Sequence, residues 1–373
     1  MSLLIGLLCG LFLAFANGAN DNFKGVATLF GSGTTDYRKA LLWATATTAL
    51  GSLVALIWAK GLLATFSGKG LVPDAVLSIK SFPLAVALAA GSTVWLATRF
   101  GFPISTTHAL MGGLVGVGLL SSPTGINFRH LLESFALPLL LGPAIAVLGT
   151  AVLYPILHQL KGYWGITEET CLCIGSEIVA VVPTGVPANA TAASMTIPIL
   201  TSGTHAECIE RYKGRLLGMD AARLLDGIHY LSAGIVSFAR GLNDTPKIAA
   251  LLLAGNLFDP DLSIISIGIA MGVGGLLSAR KIAQTMSLRV TEMNPGQGLT
   301  ANLMTGILVI AGSGAGLPLS TTHVSCGSLF GIGAITQRIQ WKTLTSILLS
   351  WVITLPMAAV LGYLIFFALR GLV

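Results

Sequence analysis

GFPISTTH, from Gly101 to His108, returns in the second half of the chain as GLPLSTTH, from Gly316 to His323. Each copy joins a proline to three hydroxyl residues and a histidine, within a chain that is otherwise strongly apolar. Repetition of such a segment indicates an internal duplication. In an apolar chain, paired polar segments broken by glycine point to a transporter whose site forms between two repeats.

A second repeated element lies upstream of each copy. FANGANDNFKGVA, at 15–27, aligns without gaps with FARGLNDTPKIAA, at 238–250. Each half therefore carries an Asn-Asp element followed by a Ser-Thr-Thr-His element. We predict two membrane repeats, residues 1–160 and 227–373, joined by a connector at the membrane surface over residues 161–226.

The composition indicates an integral membrane protein. Of the 373 residues, 54% are hydrophobic and 10% are charged, a balance that soluble domains of this length do not have. Apolar runs that match a hydrocarbon core recur along both repeats, so we expect an all-α fold with about 10–12 membrane-embedded segments. The net charge is +6, and the basic residues are scattered along the sequence and form no basic patch. This distribution argues against nucleic-acid binding. The five cysteines match no common zinc or disulfide pattern, so no cofactor is expected.

Basic residues predict that the two repeats have opposite orientations. Arg38 and Lys39 follow the first span, and nothing basic precedes it. Because cytoplasmic loops are enriched in Lys and Arg, this loop is expected inside the cell. For the equivalent span of the second repeat the bias reverses, since the basic residues come before it. These residues are Arg211, Lys213, Arg215 and Arg223.

The Asn-Asp elements place carboxylates inside apolar segments. A carboxylate at the centre of a membrane helix costs about 2.5–3.5 kcal/mol on insertion scales, so two at matched positions indicate function. Gly18 and Gly241 precede them and favour local unwinding, which would free oxygen ligands for a cation such as Na⁺. The alternative is a structural ion pair with Lys24 or Lys247, three residues beyond each aspartate. The polar residues concerned are Asn17, Asn20, Asp21, Asn243 and Asp244.

The Ser-Thr-Thr-His elements have the features of an anion site. A proline precedes the hydroxyl residues, as at the start of a helix, and helix N-termini bind anions. Two converging termini are expected to hold a tetrahedral oxyanion, with ordinary helix capping as the alternative. The interrupted apolar pieces around the motifs favour re-entrant hairpins over full spans. The hydroxyl residues are Ser105, Thr106, Thr107, Ser320, Thr321 and Thr322.

Three further residues have a less specific signal. His108 and His323 are expected to pack or hydrogen-bond behind their hairpins, with proton coupling as the alternative. Arg240 stands where the first repeat has Asn17, so the symmetry is broken there. One half is therefore expected to bind a cation where the other carries a fixed charge.

At these motifs the chain resembles the inorganic phosphate transporter (PiT) family of sodium- or proton-coupled phosphate symporters. GANDNFKGVA and GLNDTPKIAA are similar to its duplicated GANDxxxxxA signature, and PISTTH and PLSTTH to its paired P-x-S-x-T-H elements. The resemblance implies an inverted repeat with two broken helices and two re-entrant hairpins. It also implies a homodimer in the cell membrane that imports phosphate by alternating access and is not an enzyme.

Carried over by position, the resemblance assigns ligands from both repeats. The chain departs from the family where Asn22-Phe23-Lys24 and Thr245-Pro246-Lys247 replace Val-Ala-Asn, and where Thr48 stands near a glutamate of many relatives. These departures bear on the coupling ion. The implied phosphate ligands are Asp21, Ser105, Thr106, Thr107, Asn243, Asp244, Ser320, Thr321 and Thr322. The implied sodium ligands are Asn17, Asn20, Asp21, Asn243, Asp244, Thr107 and Thr322.

Charge arithmetic favours sodium as the coupling ion. Moving HPO₄²⁻ inward against an inside-negative potential costs about 2 × 2.3 kcal/mol per 100 mV. Two Na⁺ cancel the charge of the anion, and with a third Na⁺ the membrane potential drives inward transport. Proton coupling is the nearest alternative, followed by sulfate transport. An intramembrane phosphatase or pyrophosphatase would need more than Arg240 at the phosphates. A passive anion channel is the remaining class.

The inverted arrangement gives a labelling prediction. Single cysteines replacing Asp36 and Asp259, in a variant without the five native cysteines, are expected to react with a membrane-impermeant maleimide from opposite sides of the membrane. The reason is that the two residues follow matched spans of oppositely oriented repeats. Labelling of both from the same side would contradict the inverted repeat.

Overall fold

The computed structural model describes residues 2–58, 60–121, 125–164, 170–179, 195–204, 217–253 and 259–370. The chain divides into two compact units. One comprises Met1–Tyr154 with His229–Val373, and the other comprises Pro155–Ile228. The first unit is helical and contains all four repeated elements. Among the described residues, six helices are long and apolar enough to cross a membrane, which agrees with a multi-pass membrane protein. The expected number of about 10–12 membrane-embedded segments stays a prediction.

The long helices follow the same order in the two halves, whereas the short segments between them differ. The first half contains α1 (Ser2–Asp21), a 3₁₀ turn (Lys24–Val26), α2 (Ala27–Gly31), α3 (Tyr37–Trp58), α4 (Lys60–Phe66), α5 (Asp74–Leu77), α6 (Ser81–Phe100), α7 (Thr106–Ser121), α8 (Phe128–Leu131), a π-helical turn (Leu132–Ala136) and α9 (Leu137–Tyr163). The second half contains α10 (Ala221–Leu253), α11 (Pro260–Ser278), α12 (Arg280–Gln284), a π-helical turn (Thr285–Arg289), α13 (Pro295–Gly314), α14 (Thr321–Thr336) and α15 (Trp341–Leu369).

Glycines bring the helices of the two halves into contact. A Cβ on Gly18 of α1 would lie 1.9 Å from the carbonyl oxygen of Met271 in α11. The matched Gly241 of α10 approaches Thr48 of α3, where the same distance would be 2.1 Å. The two contacts are related by the alignment of the Asn-Asp elements. The first helix of each half therefore packs against the second long helix of the other half.

The second helix of each hairpin also packs against a helix of the other half. A Cβ on Gly116 of α7 would lie 1.9 Å from the carbonyl oxygen of Ala359 in α15. On the matched Gly331 of α14, it would lie 2.6 Å from the carbonyl oxygen of Val147 in α9. Small residues let membrane helices approach this closely. The two halves are consequently interlocked, and neither buries its helices alone.

One of the two expected helix breaks is present. α1 ends at Asp21, and the chain turns before the 3₁₀ segment. In the second half α10 is a continuous helix with Pro246 inside it, because neighbouring groups in a membrane protein can satisfy the backbone that a proline frees. The expectation that Gly18 and Gly241 unwind their helices is wrong, since both lie within helices at close packing contacts.

Each Ser-Thr-Thr-His element connects two helices. The first lies between α6 and α7, and the second between α13 and α14. The glycines that open the motifs have positive φ, 77° at Gly101 and 70° at Gly316, a conformation that glycine adopts without steric cost. They turn the chain so that the hydroxyl residues begin the second helix. Re-entrant insertion of these helix pairs stays a prediction.

The described part of the connector contains three strands. β1 (Thr170–Val179) pairs antiparallel with β2 (Met195–Thr204) and with β3 (Leu217–Asp220). Threonine, valine and isoleucine, which recur in β1 and β2, favour such pleated pairing. The structure does not describe residues 180–194 and 205–216 of the connector. Three of the five cysteines fall in the connector, and their side chains also lie outside what the structure describes. These cysteines are Cys171, Cys173 and Cys208.

Close helix contact gives a stability prediction. Gly241→Ala is expected to destabilise the protein by about 1–3 kcal/mol, because the new methyl group meets the backbone of Thr48 and overpacking costs that much. The apparent Tm of the purified protein measures it. Gly162→Ala is the control, since no described atom lies within 4 Å of the added Cβ. Equal Tm values for both variants would show that the contact is not tight.

Candidate functional site

Both Asn-Asp elements and both Ser-Thr-Thr elements meet in one buried polar cluster. The elements come from α1 and α10 and from the N-terminal ends of α7 and α14. Each of the residues predicted to bind phosphate or sodium is at most 6% exposed. Positions from opposite halves of the sequence therefore lie together, and the two halves contribute matched groups.

The Lys24 ammonium group lies in a cage of oxygen atoms. Its Nζ donates to Asn20 Oδ1 at 2.8 Å, to the backbone oxygen of Ile104 at 2.8 Å and to Thr322 Oγ1 at 2.6 Å. It also donates to the carboxylate of Asp21. Thr322 belongs to the other half, so this cage joins the halves.

The Lys247 ammonium group lies in a matching cage. Its Nζ donates to Thr107 Oγ1 at 2.9 Å and to the backbone oxygen of Leu319 at 2.7 Å, and it lies 3.5 Å from Asp244 Oδ1. It is also 5.7 Å from the centre of the Phe66 ring. Here the lysine comes from the second half and the threonine from the first. The two cages are thus related by the internal repeat.

Asn17 links the two carboxylates at the centre of the cluster. Its Nδ2 lies 3.0 Å from Asp21 Oδ2, 3.2 Å from Asp244 Oδ2 and 3.0 Å from Thr106 Oγ1. Thr106 Oγ1 in turn donates to Asp21 Oδ2 at 3.1 Å. The Thr106 hydroxyl group of the first hairpin is therefore hydrogen-bonded directly to the first Asn-Asp element.

Arg240 crosses from the second half into the first. Its Nη2 donates to Asn17 Oδ1 at 2.9 Å, and its Nη1 donates to Asn22 Oδ1 at 2.9 Å and to Thr48 Oγ1 at 3.2 Å. Its Nε lies 3.8 Å from Asp244 Oδ2. The residue that breaks the symmetry of the sequence thus contacts the position that it replaces, and it adds a fixed positive charge.

The buried charges of the cluster sum to a positive value. Lys24, Arg240 and Lys247 are at most 4% exposed, and so are Asp21 and Asp244. Three cations and two carboxylates leave one formal positive charge. Because buried ions must be compensated in a membrane, this excess charge favours a negatively charged ligand at the cluster.

The hydroxyl residues of the hairpins divide by role. Ser105 Oγ accepts from the backbone N–H of His108 at 3.1 Å, and Ser320 Oγ accepts from that of His323 at 3.2 Å. These contacts are helix caps, so the capping alternative holds for the two serines. Thr107 and Thr322 instead accept from the lysines. Thr321 lies in the first turn of α14 and is 6% exposed.

The two histidines pack against each other behind the hairpins. The ring centres of His108 and His323 are 4.4 Å apart, and His323 lies 3.7 Å from the ring centre of Trp351 at 32°. Trp351 Nε1 donates to the backbone oxygen of Pro103 at 3.2 Å. This geometry agrees with a packing role, and it joins the ends of the two hairpins.

A third pair of matched polar residues, which the two repeated motifs do not include, joins the cluster. Asn20 Nδ2 donates to Thr98 Oγ1 at 2.8 Å, and Ser313 Oγ donates to Asn243 Oδ1 at 3.2 Å. Thr98 and Ser313 occupy equivalent positions when the two hairpin motifs are aligned, each three residues before the glycine that opens its motif. Extending that alignment upstream of each motif would have found them.

The predicted sodium ligands hold ammonium groups. Asn20, Asp21 and Thr322 bind Lys24, while Thr107 and Asp244 bind Lys247. Ammonium groups and Na⁺ seek the same oxygen atoms, and the lysine side chains fill these positions. The residues present therefore do not fit a sodium ion at either cage.

Comparisons with known proteins agree on one family. A sequence model of the phosphate transporter family matches residues 17–362. A protein described as a probable low-affinity inorganic phosphate transporter, from Rhizobium meliloti, is 26% identical over 98% of this chain and 96% of its own. Inorganic phosphate transporter 2-1, chloroplastic, from Arabidopsis thaliana, is 26% identical over 95% of this chain and 70% of its own. A solved structure described as the sodium-dependent phosphate transporter matches all of both chains, with a TM-score of 0.77 and 20% identity, and shows the same fold.

Proposed function

The chain belongs to the phosphate transporter family, and we propose that it is a symporter that imports inorganic phosphate across the cell membrane by alternating access. The observation that carries this proposal is the meeting of two helix N-termini, one from each half, at a buried cluster with excess positive charge. Membership of a transporter family argues against the phosphatase alternative. A homodimer, which the sequence resemblance implies, is part of the proposal.

Phosphate binds in this proposal between the starts of α7 and α14. Backbone N–H groups and hydroxyls at the two helix starts donate to the phosphate oxygens, aided by about half a positive charge at each terminus. Asp21 and Asp244 repel phosphate oxygens, so they act through the cations that lie against them. Arg240 and the two lysines supply those cations.

Alternating access follows from the paired construction. Each half supplies one hairpin, α6 with α7 or α13 with α14, and the second helix of each hairpin starts at the shared cluster. If the repeats are inverted, the hairpins enter from opposite faces of the membrane, and each can gate one side of the site.

Sodium is the first candidate for the coupling ion. The solved neighbour is described as sodium-dependent, and the charge of the cargo requires accompanying cations if the membrane potential is to be overcome. A proton is the second candidate, and a specific observation favours it: the oxygen cages expected for sodium hold Lys24 and Lys247. Coupling sodium must then bind outside these cages.

Uptake into proteoliposomes tests the function. We expect ³³P-labelled phosphate to accumulate above its external concentration under an imposed sodium or proton gradient, with choline and equal pH as the controls. Thr321→Ala is expected to weaken uptake affinity about tenfold, since a hydrogen bond to a charged group is worth about 1.5–3 kcal/mol. Ser325→Ala, one turn further along α14, is the matched control.

Three outcomes contradict parts of the proposal. Uptake that only equilibrates and ignores both gradients would indicate a passive anion channel. Accumulation of sulfate in preference to phosphate would indicate a different substrate on the same fold. Loss of affinity in the Ser325→Ala variant equal to that in Thr321→Ala would show that the hydroxyl acts on the helix and not on the anion.

A further inference from the structure

We infer that the ammonium groups of Lys24 and Lys247 are built-in counter-cations of the phosphate site, so that phosphate binds there without sodium in the two cages. The inference rests on the proposed function and specifies how its anion site is neutralised. It starts from a disagreement between the sequence resemblance, which implies sodium ligands, and the structure, which places lysine nitrogen atoms among those same ligands.

The ligand set of each ammonium group is that of a bound cation. Lys24 Nζ has an amide oxygen, a carboxylate oxygen, a backbone oxygen and a hydroxyl oxygen as partners. Lys247 Nζ has a hydroxyl, a backbone oxygen and a carboxylate. An ammonium group has three donors, so the donors of each lysine are fully used. Hard oxygen atoms of this mixture are what a sodium ion would otherwise seek.

A free ion competes poorly with a tethered one. Lys24 and Lys247 each lie only three residues along the chain from the aspartate that they contact, so their effective concentration at the cages is high. Displacing either would leave an ammonium group that is at most 4% exposed without oxygen partners. Removing one partner of a buried pair is strongly destabilising. Sodium entry would carry that cost.

The lysines also set the sign of the cluster. With them present, the five buried charges leave one positive charge, which suits an anion. Without them, Asp21, Asp244 and Arg240 leave one negative charge, which repels phosphate. Added cations would then be needed before phosphate could bind. Neutralising only one lysine leaves a net charge of zero, so the cluster no longer attracts the anion by an excess positive charge. Phosphate binding is then expected to improve when sodium supplies the missing cation.

Binding of phosphate to the full chain tests this inference. Equilibrium binding of ³³P-labelled phosphate to the purified protein in nanodiscs is compared in sodium chloride and choline chloride at equal pH and ionic strength. The wild-type Kd is expected to differ by less than about twofold between the salts, because the cages are already filled. By contrast, Lys24→Ala and Lys247→Ala are expected to bind at least tenfold more weakly in choline and to recover in sodium.

Control variants isolate the charge. Lys39→Ala removes a lysine whose side chain is 74% exposed and pairs with Asp36, and it is expected to leave binding unchanged in both salts. Lys24→Met combined with Asp21→Asn removes a buried charge pair together. This double variant is expected to fold where a single variant fails, and it should bind phosphate equally in sodium and choline.

The outcomes separate the two proposals. Wild-type protein that binds phosphate in sodium but not in choline would overturn the inference and leave the proposed function intact. Folded single lysine variants that lose affinity equally in both salts would also overturn it, because sodium then cannot replace the missing charge. Wild-type protein that binds phosphate in neither salt would overturn the proposed function itself, and the inference with it.

Discussion

Two carboxylates buried in the membrane body impose the main constraint on this structure. Asp21 and Asp244 each require a cation in a medium that solvates charge poorly. Lys24 and Lys247 supply it, and the remaining donors of each lysine reach oxygen atoms of both halves. The same lysine contacts therefore neutralise the two carboxylates and connect the two halves. The glycine contacts that interlock the helices hold the cages at the distance that the lysines span.

Built-in cations separate two tasks that sodium could perform together. A lysine neutralises a bound anion but stays with the protein, so it carries no net charge across the membrane. Neutralising the cargo in the site and driving its movement then depend on different groups. Under this account, the site needs no sodium in its two cages, whereas inward transport of a phosphate anion still needs coupled ions to overcome the potential. Arg240, which breaks the symmetry, adds the charge that makes the cluster positive.

The sequence predicted most of the buried polar cluster because its signals occur as matched pairs. The motifs at 15–27 and 238–250 and the two hairpin motifs do meet, as expected for elements that share one site. Spacing within a helix suggested that Lys24 pairs with its own aspartate, but it could not show the contact with Thr322, which depends on how the halves interlock. Likewise, helix propensity did not show that α10 continues through Pro246, since neighbouring helices decide whether freed backbone groups are satisfied.

The most direct test of the central claim is an experimental structure of the protein with phosphate in sodium-free choline buffer. The account predicts phosphate between the starts of α7 and α14, in contact with hydroxyl residues of both halves, while the Lys24 and Lys247 ammonium groups stay in their oxygen cages. Phosphate bound by only one half would contradict a shared site. Phosphate that is visible only when sodium has displaced the lysines would contradict built-in neutralisation.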